Sequence, residues 1–508
     1  MSNGYNVILI QLDSLNRHFL RAYGNTWIDT PNLTAFAQQA AVFDAHYVGS
    51  LPCMPARREI WAGTQEFWWR PWGPLEPWDV PIAKLAREQG VVTQYITDHY
   101  HMFEWGSHSY HYDFHGYEFI RGHEIDNWKT APVPQVPPWA QKMVELRGEW
   151  GRQYLQNVAD FTAEADFFAP KVMQATADWL EHNHSLPQFF LHVDSFDVHE
   201  PFHVPEPYRS MYTDQDYRQH NPFPRYGRVD EGLAALSLAE VEWVRAQFAG
   251  KLTMVDRWLG RVFDKLTEHR LLDRTVVIIS TDHGHYLGDH GWIGKPNAPM
   301  YHTLCHIPLL IWHPAGAHNG QRVSAITQTV DLYATVLEAL GAVVPEQTFV
   351  HSRSLVPVLR GEANRHRDYA VYGYCNSRMG LTNARWTLLR DHNRDAAPPE
   401  IYTTQLEQIF SRQSLITGAS RFAFGDHIQA GASLPGVPLP VYRVRNEAEQ
   451  PSQQRADLLF DNLTDPDQAQ DLAAQAPAQV AALEAHLRDH LRALQVPENQ
   501  WRRLRLED

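Results

Sequence analysis

The stretch Asn6-Val-Ile-Leu-Ile-Gln-Leu-Asp13 is an apolar run that ends in an acid. Short, continuous apolar runs are typical of strands that a parallel sheet buries on both faces. Four more runs of this kind occur, at residues 91–96, 189–196, 275–281 and 309–312. Together they predict that a mainly parallel sheet forms the centre of the fold.

Helical patterns separate these predicted strands. The clearest begins at Ser237, where Glu240 completes a capping-box signature. Apolar residues then recur at spacings of three and four, which marks one face of a helix; they stand at positions 241, 244, 248, 252, 255, 259 and 262. The alternation favours an α/β fold with a large, mainly parallel sheet flanked by helices.

The pattern changes after about residue 360. Short predicted strands at 369–374, 385–390 and 456–460 precede a closing helix at roughly 473–494. We therefore predict a catalytic α/β domain over residues 1–360 and a smaller C-terminal α+β domain over residues 361–508. Two segments, at about 97–165 and 395–450, have the composition of long loops or lids.

Length and composition exclude several classes of protein. With 508 residues, 44% of them hydrophobic and 20% charged, the chain is typical of a soluble globular protein. A net charge of -15 argues against a nucleic-acid partner but allows a small anionic substrate in a locally cationic pocket. Three cysteines are too few for a disulfide scaffold. Neither a signal peptide nor a membrane-spanning apolar run is visible, which predicts a cytoplasmic enzyme.

Acidic residues follow three of the predicted strands. Asp13, Asp197 and Asp282 all stand at carboxyl ends of strands, where open α/β sheets bind their ligands. In Asp282-His283-Gly284 an imidazole adjoins the carboxylate, and this combination suits a metal ion. Each acid could equally cap a helix or a turn.

Cys53-Met-Pro-Ala-Arg57 is the most distinctive motif of the chain. A lone cysteine is most often a small buried residue, and Pro55 could simply begin a helix with Arg57 on its surface. A nucleophile placed just before a helix N-terminus, however, would have dipole support for developing negative charge.

This motif, followed by Gly63, resembles the formylglycine signature of the sulfatase family of the alkaline phosphatase superfamily, with Ala62-Gly63 in place of the usual Thr-Gly pair. That family includes formylglycine-dependent sulfatases and phosphonate monoester hydrolases. Further motifs resemble it in the same order along nearly the whole chain; they are the 6–13 run, Thr30-Pro-Asn-Leu33, Phe196-Asp-Val-His199-Glu-Pro201, Thr281-Asp-His-Gly284, Leu287-Gly-Asp-His-Gly291, Gly294-Lys295, and Leu458-Leu-Phe-Asp461 with Asp465-Pro466.

The resemblance implies a hydrolase of sulfate monoesters. Cys53 would be oxidised to formylglycine by a separate maturation enzyme, and the hydrate would attack the sulfur atom of a small anionic ester. Arg57 would orient the hydrate. Lys295 and His199 would hold the transferring group, and His199 could also protonate the leaving oxygen.

The resemblance also implies one divalent metal, held by Asp13, Asp282, His283 and the oxygen derived from Cys53. Sulfatases commonly carry two consecutive acids where this chain has Asp13-Ser14, and often asparagine where it has His283. Two carboxylates supply few of the oxygen ligands that calcium requires, whereas imidazole is a suitable ligand for transition ions. We therefore expect manganese or a similar ion, with calcium as the alternative.

Histidines supply the expected substrate contacts. The family's Gly-Lys-x-His segment aligns with Thr97-Asp98-His99-Tyr100, so its lysine has no counterpart and His99 or His101 is the expected substitute. His302 completes the predicted substrate-binding set. The region between His99 and His123 is dense in aromatic residues and histidine, which predicts either an aromatic wall of the pocket or a surface loop available to a homo-oligomer contact.

Two alternatives stay open at this point. A phosphonate monoester or phosphate diester hydrolase would use the same nucleophile and metal, and its branch of the superfamily resembles this chain at His283. An inactive relative that binds an anion or a partner protein would keep Cys53 unmodified. The sequence leaves the natural substrate and the oligomeric state undetermined.

Overall fold

A computed structural model describes residues 4–104, 110–296, 298–344, 349–393, 396, 400–405, 428–445 and 456–507. Its strands, in chain order, are β1 Asn6–Leu12, β2 Ala41–Tyr47, β3 Ser50–Leu51, β4 Val92–Thr97, β5 Gly116–Phe119, β6 Phe189–Ser195, β7 Gly227–Arg228, β8 Thr275–Ser280, β9 Tyr286–Leu287, β10 Trp292–Gly294, β11 Leu309–Trp312, β12 Arg322–Gln328, β13 Ala370–Tyr374, β14 Met379–Thr382, β15 Trp386–Arg390, β16 Glu400–Thr403, β17 Ile428–Ala432, β18 Val441–Arg445 and β19 Leu458–Asp461. Its α-helices are α1 Pro31–Gln39, α2 Cys53–Ala62, α3 Ile82–Glu88, α4 Gln141–Arg147, α5 Glu149–Val158, α6 Phe168–Asn183, α7 Leu238–Glu268, α8 His302–Cys305, α9 Asp331–Leu340, α10 Val356–Leu359, α11 Pro477–Ala493 and α12 Glu498–Arg503.

The central sheet has eight strands in the order β12-β2-β11-β8-β1-β6-β4-β5. Strand β1 runs parallel to both neighbours, β6 and β8, and the pairs β6–β4, β4–β5 and β2–β12 are also parallel. Strand β11 alone is antiparallel to its neighbours β8 and β2 within this sheet. The predicted α/β class and its five strands are confirmed, and the run at 309–312 is the one that reverses direction.

The continuous apolar character of β1 follows from its two covered faces. Ile8, Ile10 and Leu12 belong to one core with residues of α1, α6 and α7. Val7 and Leu9 belong to a second core with residues of α2, α3 and α9. Both faces of the strand are buried, so apolar residues are favoured on both. This explains why the run does not alternate between apolar and polar residues.

Helix α7 begins where the capping box predicts. The Glu240 amide donates to Ser237 Oγ at 3.2 Å, and the Ser237 amide donates to Glu240 Oε2 at 2.9 Å. The helix then continues for 31 residues to Glu268. It covers one face of the central sheet and leads into β8, the strand that precedes Asp282.

The C-terminal part contains two small sheets. A five-stranded sheet has the order β19-β15-β14-β13-β3, and a three-stranded sheet has the order β16-β18-β17. Strand β3 comes from the N-terminal part, just before Cys53, and pairs with β13 in parallel. Helix α11 packs on the five-stranded sheet, and its position confirms the closing helix predicted at roughly 473–494. The division of the chain at residue 360 stays a prediction.

The two segments expected as long loops contain regular elements. Strand β5 and helices α4 and α5 lie within 97–165, and strands β16, β17 and β18 lie within 395–450. The elements are short and partly exposed, so no extended periodic pattern of apolar residues predicts them from the sequence. Residues 394–395, 397–399, 406–427 and 446–455 lie outside the described residues. Within the part of the chain that the structure describes, no helix is long and apolar enough to cross a membrane.

Candidate active site

Helix α2 begins at Cys53, so the predicted placement of this residue at a helix N-terminus is confirmed. All ten residues of the helix are buried. Gly63 ends the helix with a φ of 71°, and a Cβ atom at this position would lie 2.6 Å from the ring of Tyr333. Glycine is needed here for both reasons, which accounts for the Gly63 of the motif.

Arg57 is fully buried, not on the helix surface, and links three carboxylates. Its Nε and Nη2 donate to Asp194 at 2.9 and 2.7 Å, and its Nη1 donates to Asp282 at 2.7 Å. Its Nη2 also lies 3.0 Å from Oδ2 of Asp13. The guanidinium therefore ties helix α2 to the carboxyl ends of β1, β6 and β8, since Asp194 is the penultimate residue of β6.

No motif in the sequence singles out Asp194. It lies inside the apolar run of β6, where its carboxylate is fully buried and also accepts a hydrogen bond from Tyr95 at 2.8 Å. A charged residue is almost never fully buried without a partner. An acid inside a run this apolar was the signal that a buried arginine should be sought.

Four side chains predicted to form the metal site come together. Asp13, Cys53, Asp282 and His283 are buried, and their ligand atoms lie within 4.8 Å of one another. Cys53 Sγ is 3.3 Å from His283 Nε2, which is 3.3 Å from Asp282 Oδ2. Because His283 Nδ1 donates to the carbonyl of Gly284 at 2.8 Å, Nε2 has its lone pair free to bind a metal.

The chemistry of this donor set fits a divalent cation. Burial, followed by the charge of Asp13, raises the pKa of Asp282 to about 7. Burial also disfavours the charge of Asp13, but Lys295 and Arg57 hold the pKa of Asp13 well below its usual range. Oδ2 of Asp13 lies 3.0 Å from Nη2 of Arg57 but forms no hydrogen bond with the described residues. A cation within reach of both carboxylates would offset their repulsion, and two oxygens with one imidazole nitrogen suit a transition ion.

Ser14 and Asn16 hold the loop that carries Asp13. Ser14 adopts a φ of 62°, donates from Oγ to Asp13 at 2.7 Å and donates from its amide to Asp282 at 3.1 Å. Asn16 exchanges two hydrogen bonds of 2.7 Å with the backbone of His285. These contacts fix the loop after β1 against the loop after β8, so that the carboxylates of Asp13 and Asp282 face each other.

Lys295 and His199 are placed beside this group. Lys295 Nζ lies 3.4 Å from Ser14 Oγ and 3.7 Å from Asp13 Oδ1. His199 Nδ1 donates to the carbonyl of Glu200 at 2.7 Å, which leaves Nε2 to face Tyr226 OH at 3.4 Å. Burial lowers the pKa of His199 to about 4, so its imidazole is neutral near pH 7 in the free protein.

Two of the three predicted substrate-binding histidines lie near this centre. His99 is buried, and its Nε2 is 3.6 Å from Asp13 Oδ2. His101 lies between Glu104 at 3.0 Å and Glu124 at 3.5 Å. Burial opposes the charge of His101, but these two carboxylates raise its pKa to about 9, so it is a cation at neutral pH.

The structure does not place His302 in this group. Its Nε2 lies 3.3 Å from Thr387 Oγ1, on strand β15, and its ring lies against those of Tyr47 and His306. The residue begins the short helix α8, and its side chain contacts the C-terminal sheet instead of the cavity. The predicted substrate contact by His302 is therefore not retained.

A cavity of about 970 Å³ opens over the centre. Cys53, His101, His199 and Lys295 line it, and its aromatic residues are Trp72, Trp150, Tyr226 and Trp292. The aromatic wall therefore comes largely from outside the 99–123 segment. In that segment Tyr110 and Phe114 pack in the core and Phe103 stacks on Phe119, while Trp105 lies outside the described residues.

Comparisons with known proteins agree with this geometry. A family model described as sulfatase matches residues 5–342. The chain is 27% identical over 425 residues to the multifunctional alkaline phosphatase superfamily protein PehA of Trinickia caryophylli, over 70% of this chain and 77% of that protein. It is 24% identical over 429 residues to arylsulfatase K of Xenopus laevis, over 77% of this chain and 71% of that protein. The solved structure of a phosphonate monoester hydrolase of Agrobacterium radiobacter superposes with a TM-score of 0.63 at 20% identity, over 97% of this chain and 95% of that chain. Since the family model covers well over half of the residues, the chain belongs to the sulfatase family of the alkaline phosphatase superfamily and is a sulfuric ester hydrolase.

Proposed function

We propose that this enzyme hydrolyses sulfate monoesters with formylglycine, formed from Cys53, as the nucleophile beside one divalent metal. The approach of Cys53 Sγ to His283 Nε2 at 3.3 Å, inside the group of four ligands, supports this proposal most strongly. Asp13, Asp282 and His283 would hold the metal, together with the oxygen that replaces Sγ. Manganese or a similar transition ion is the proposed metal, because imidazole is among the ligands.

The unmodified thiol is poorly suited to attack an ester. Burial, and then the negative charge of Asp13, raise the pKa of Cys53 well above its usual range, so the thiol stays protonated near pH 7. Thiolate, not thiol, is the nucleophilic form of cysteine. Formylglycine at this position would supply a hydrated aldehyde with two hydroxyl groups, one to attack the sulfur as the alcohol leaves, and one to lose its proton so that the aldehyde reforms and sulfate is released; the metal would supply Lewis acidity.

The chain's own residues would bind and orient the ester. Lys295 is buried beside Asp13 and would offset the negative charge of the transferring sulfate group. Arg57 would orient the hydrate from the first turn of α2, where the helix N-terminus also favours negative charge. His199 would present Nε2 to the leaving oxygen. This nitrogen is unprotonated in the free protein near pH 7, and the negative charge of the bound ester would favour a proton there, which would stabilise the departing alcohol.

The proposed partners follow from this chemistry. A formylglycine-generating enzyme would act on the 53–57 motif before Cys53 is buried in the folded chain. The substrate would be a small anionic ester that enters the cavity over the site.

A phosphonate monoester or phosphate diester hydrolase is the second candidate. It is favoured by His283 and by the likeness to the solved phosphonate monoester hydrolase. Both reactions would use the same nucleophile and metal, so the preferred substrate would depend on how the cavity binds the transferring group.

A substrate panel on matured, metal-loaded enzyme separates the two candidates. We expect 4-nitrophenyl sulfate to have a higher kcat/KM than bis(4-nitrophenyl) phosphate and 4-nitrophenyl phenylphosphonate. Cys53→Ala serves as the blank for contaminating hydrolases. A higher kcat/KM for the diester or the phosphonate would overturn sulfate monoester hydrolysis as the preferred reaction in favour of the second candidate.

A further inference from the structure

Two arginines at the cavity form no ion pair with a carboxylate among the described residues. Arg147 ends helix α4, Arg225 lies just before β7, and both line the cavity that Cys53 also lines. Among the described residues, no carboxylate forms an ion pair with either guanidinium. Arg228, on the same cavity, differs: its Nη2 lies 2.7 Å from Asp230, and its Nε lies 3.3 Å from Glu231.

Both arginines are held in position without being neutralised. The guanidinium of Arg147 lies 4.0 Å from the ring centre of Phe223 and 4.7 Å from that of Trp150. Its Nε is buried and has no hydrogen-bond partner. Arg225 donates from Nε and Nη2 to the carbonyl of Leu146, at 3.2 and 2.8 Å. Aromatic rings and a carbonyl therefore orient two cations whose remaining donors have no acceptor within the described part of the chain.

Their mutual repulsion is only partly offset by nearby acids. Burial lowers the pKa of Arg147, Glu200 and Glu124 raise it, and Arg225 lowers it further. The two acids have their own partners: Glu200 accepts from His285 at 3.0 Å, and Glu124 accepts from Tyr100 at 2.9 Å. A partly buried guanidinium with free donors is best satisfied by an anion, which it can bind through two parallel hydrogen bonds.

We propose that Arg147 and Arg225 bind a second anionic group of the substrate, so that this enzyme prefers sulfate esters whose organic part carries another anion. The inference rests on the proposed function, which places the reacting ester at Cys53 and Lys295. The cavity, at about 970 Å³, is far larger than a sulfate group and reaches the upper range of pockets that hold whole organic ligands. The shared chemistry is a carboxylate, sulfate or phosphate on the organic part of the ester.

Matched aryl sulfates test this inference. One carries a flexible tether that ends in a carboxylate, the second ends in the neutral carboxamide, and further tethers end in sulfonate or phosphate to identify the preferred anion. We expect kcat/KM to favour an anionic tether by about tenfold or more, as for a charged hydrogen bond. Arg147→Gln and Arg225→Gln should each remove most of that preference, whereas Arg228→Gln, whose arginine is already paired, should keep it.

A binding measurement separates this inference from the reaction itself. Cys53→Ala protein is titrated calorimetrically with aryl sulfonates that carry the same two tethers and cannot be hydrolysed. Stronger binding of the anionic tether, lost in Arg147→Gln, supports the subsite even if no sulfate ester is turned over. Equal binding of the two tethers, or an unchanged preference in both arginine variants, would overturn it, whatever the turnover.

Discussion

The Sγ atom of Cys53 lies 3.3 Å from Nε2 of His283, although the two residues are 230 positions apart in the chain. Cys53 begins helix α2, and His283 follows the central strand β8. The contact therefore forms only when the helix packs against the carboxyl ends of the sheet. It makes His283 the direct neighbour of whatever atom replaces the sulfur of Cys53.

The first prediction concerns this replacement. When a formylglycine-generating enzyme is co-expressed, we expect Cys53 to lose its sulfur and two hydrogens and to gain one oxygen. Mass spectrometry of the peptide that contains Arg57 measures the change. Cys305 is the internal control, because it is buried and free but lies outside the motif, and should keep its thiol. Fully active protein that retains the Cys53 thiol would contradict the mechanism.

The second prediction concerns Asp194, which accepts two hydrogen bonds from Arg57. Asp194→Asn removes one of the negative charges that balance the buried guanidinium of Arg57. We expect the free energy of unfolding to fall by an amount on the order of 3 kcal/mol. Because Arg57 would then be less firmly oriented, kcat should also fall. Denaturant unfolding and steady-state kinetics measure the two effects.

Tyr95→Phe is the matched control for this change. It removes a single hydrogen bond of 2.8 Å to the same carboxylate and should cost about 1 kcal/mol. If Asp194→Asn loses no more stability or activity than Tyr95→Phe, Asp194 does not position Arg57.

The sequence predicts those parts of the fold and site that depend on local pattern. The run that forms β1 is continuous because both of its faces are covered, and the capping box at Ser237 satisfies backbone amides within four residues. Both features can be read from neighbouring residues. Asp13 and Asp282 can likewise be placed at the ends of predicted strands, but position alone does not separate a metal ligand from a cap, and Cys53 is identified only by the resemblance of its motif to the sulfatase family.

Contacts that depend on distant packing could not be predicted in this way. The partners of Asp194 lie on other elements, and nothing near it in the chain identifies Arg57 as one of them. Strand β11 runs antiparallel because of the path of the chain after β10. The apolar residues of β11 do not indicate this direction. His302 faces strand β15 for the same reason: a histidine at a helix start can face either the cavity or the neighbouring sheet.

The third prediction concerns His199 and the leaving group. If Nε2 of His199 delivers a proton to the departing oxygen, His199→Ala should slow alkyl sulfates far more than nitrophenyl sulfates, by about 100-fold or more for the poorest leaving groups. Tyr226→Phe is the control, since it removes only the hydroxyl that lies 3.4 Å from Nε2. A series of esters that spans a range of leaving-group pKa values measures the slope. The same loss for every ester would mean that His199 only binds the substrate.

The fourth prediction concerns the pH dependence of stability. Burial raises the pKa of Glu59 to about 7, although its carboxylate accepts from Ser50 at 2.6 Å and from Thr329 at 2.7 Å. A carboxyl whose pKa is higher in the folded state stabilises the fold below its unfolded pKa, and this contribution is lost as the pH rises through about 7.

Glu59→Gln tests this contribution because glutamine does not titrate. Between pH 5 and pH 8, the wild-type free energy of unfolding should fall relative to that of the variant, by up to about 3 kcal/mol. Denaturant unfolding of both proteins at the two pH values gives the double difference. A double difference near zero would show that Glu59 stays ionised in the folded protein.

The last prediction concerns the metal. Asp13 and Asp282 are the two carboxylates of the ligand group, His283 adds an imidazole, and Ser14 Oγ donates its hydrogen bond to Asp13. Calcium takes about six to eight oxygen ligands, so this group would leave most of its positions to water. A transition ion such as manganese accepts imidazole readily. We therefore expect chelator-stripped, matured enzyme to recover more activity with manganese than with calcium.

His283→Asn provides the matched comparison, because it replaces the imidazole nitrogen by an amide oxygen at the same position. The variant should bind manganese more weakly and shift its preference towards calcium, since amide oxygen is the harder ligand. Bound metal is measured directly by elemental analysis after single metals are added back, alongside turnover, so that binding and activity are judged separately. Recovery of the wild type with calcium alone, and none with manganese, would show that His283 does not govern the choice of metal.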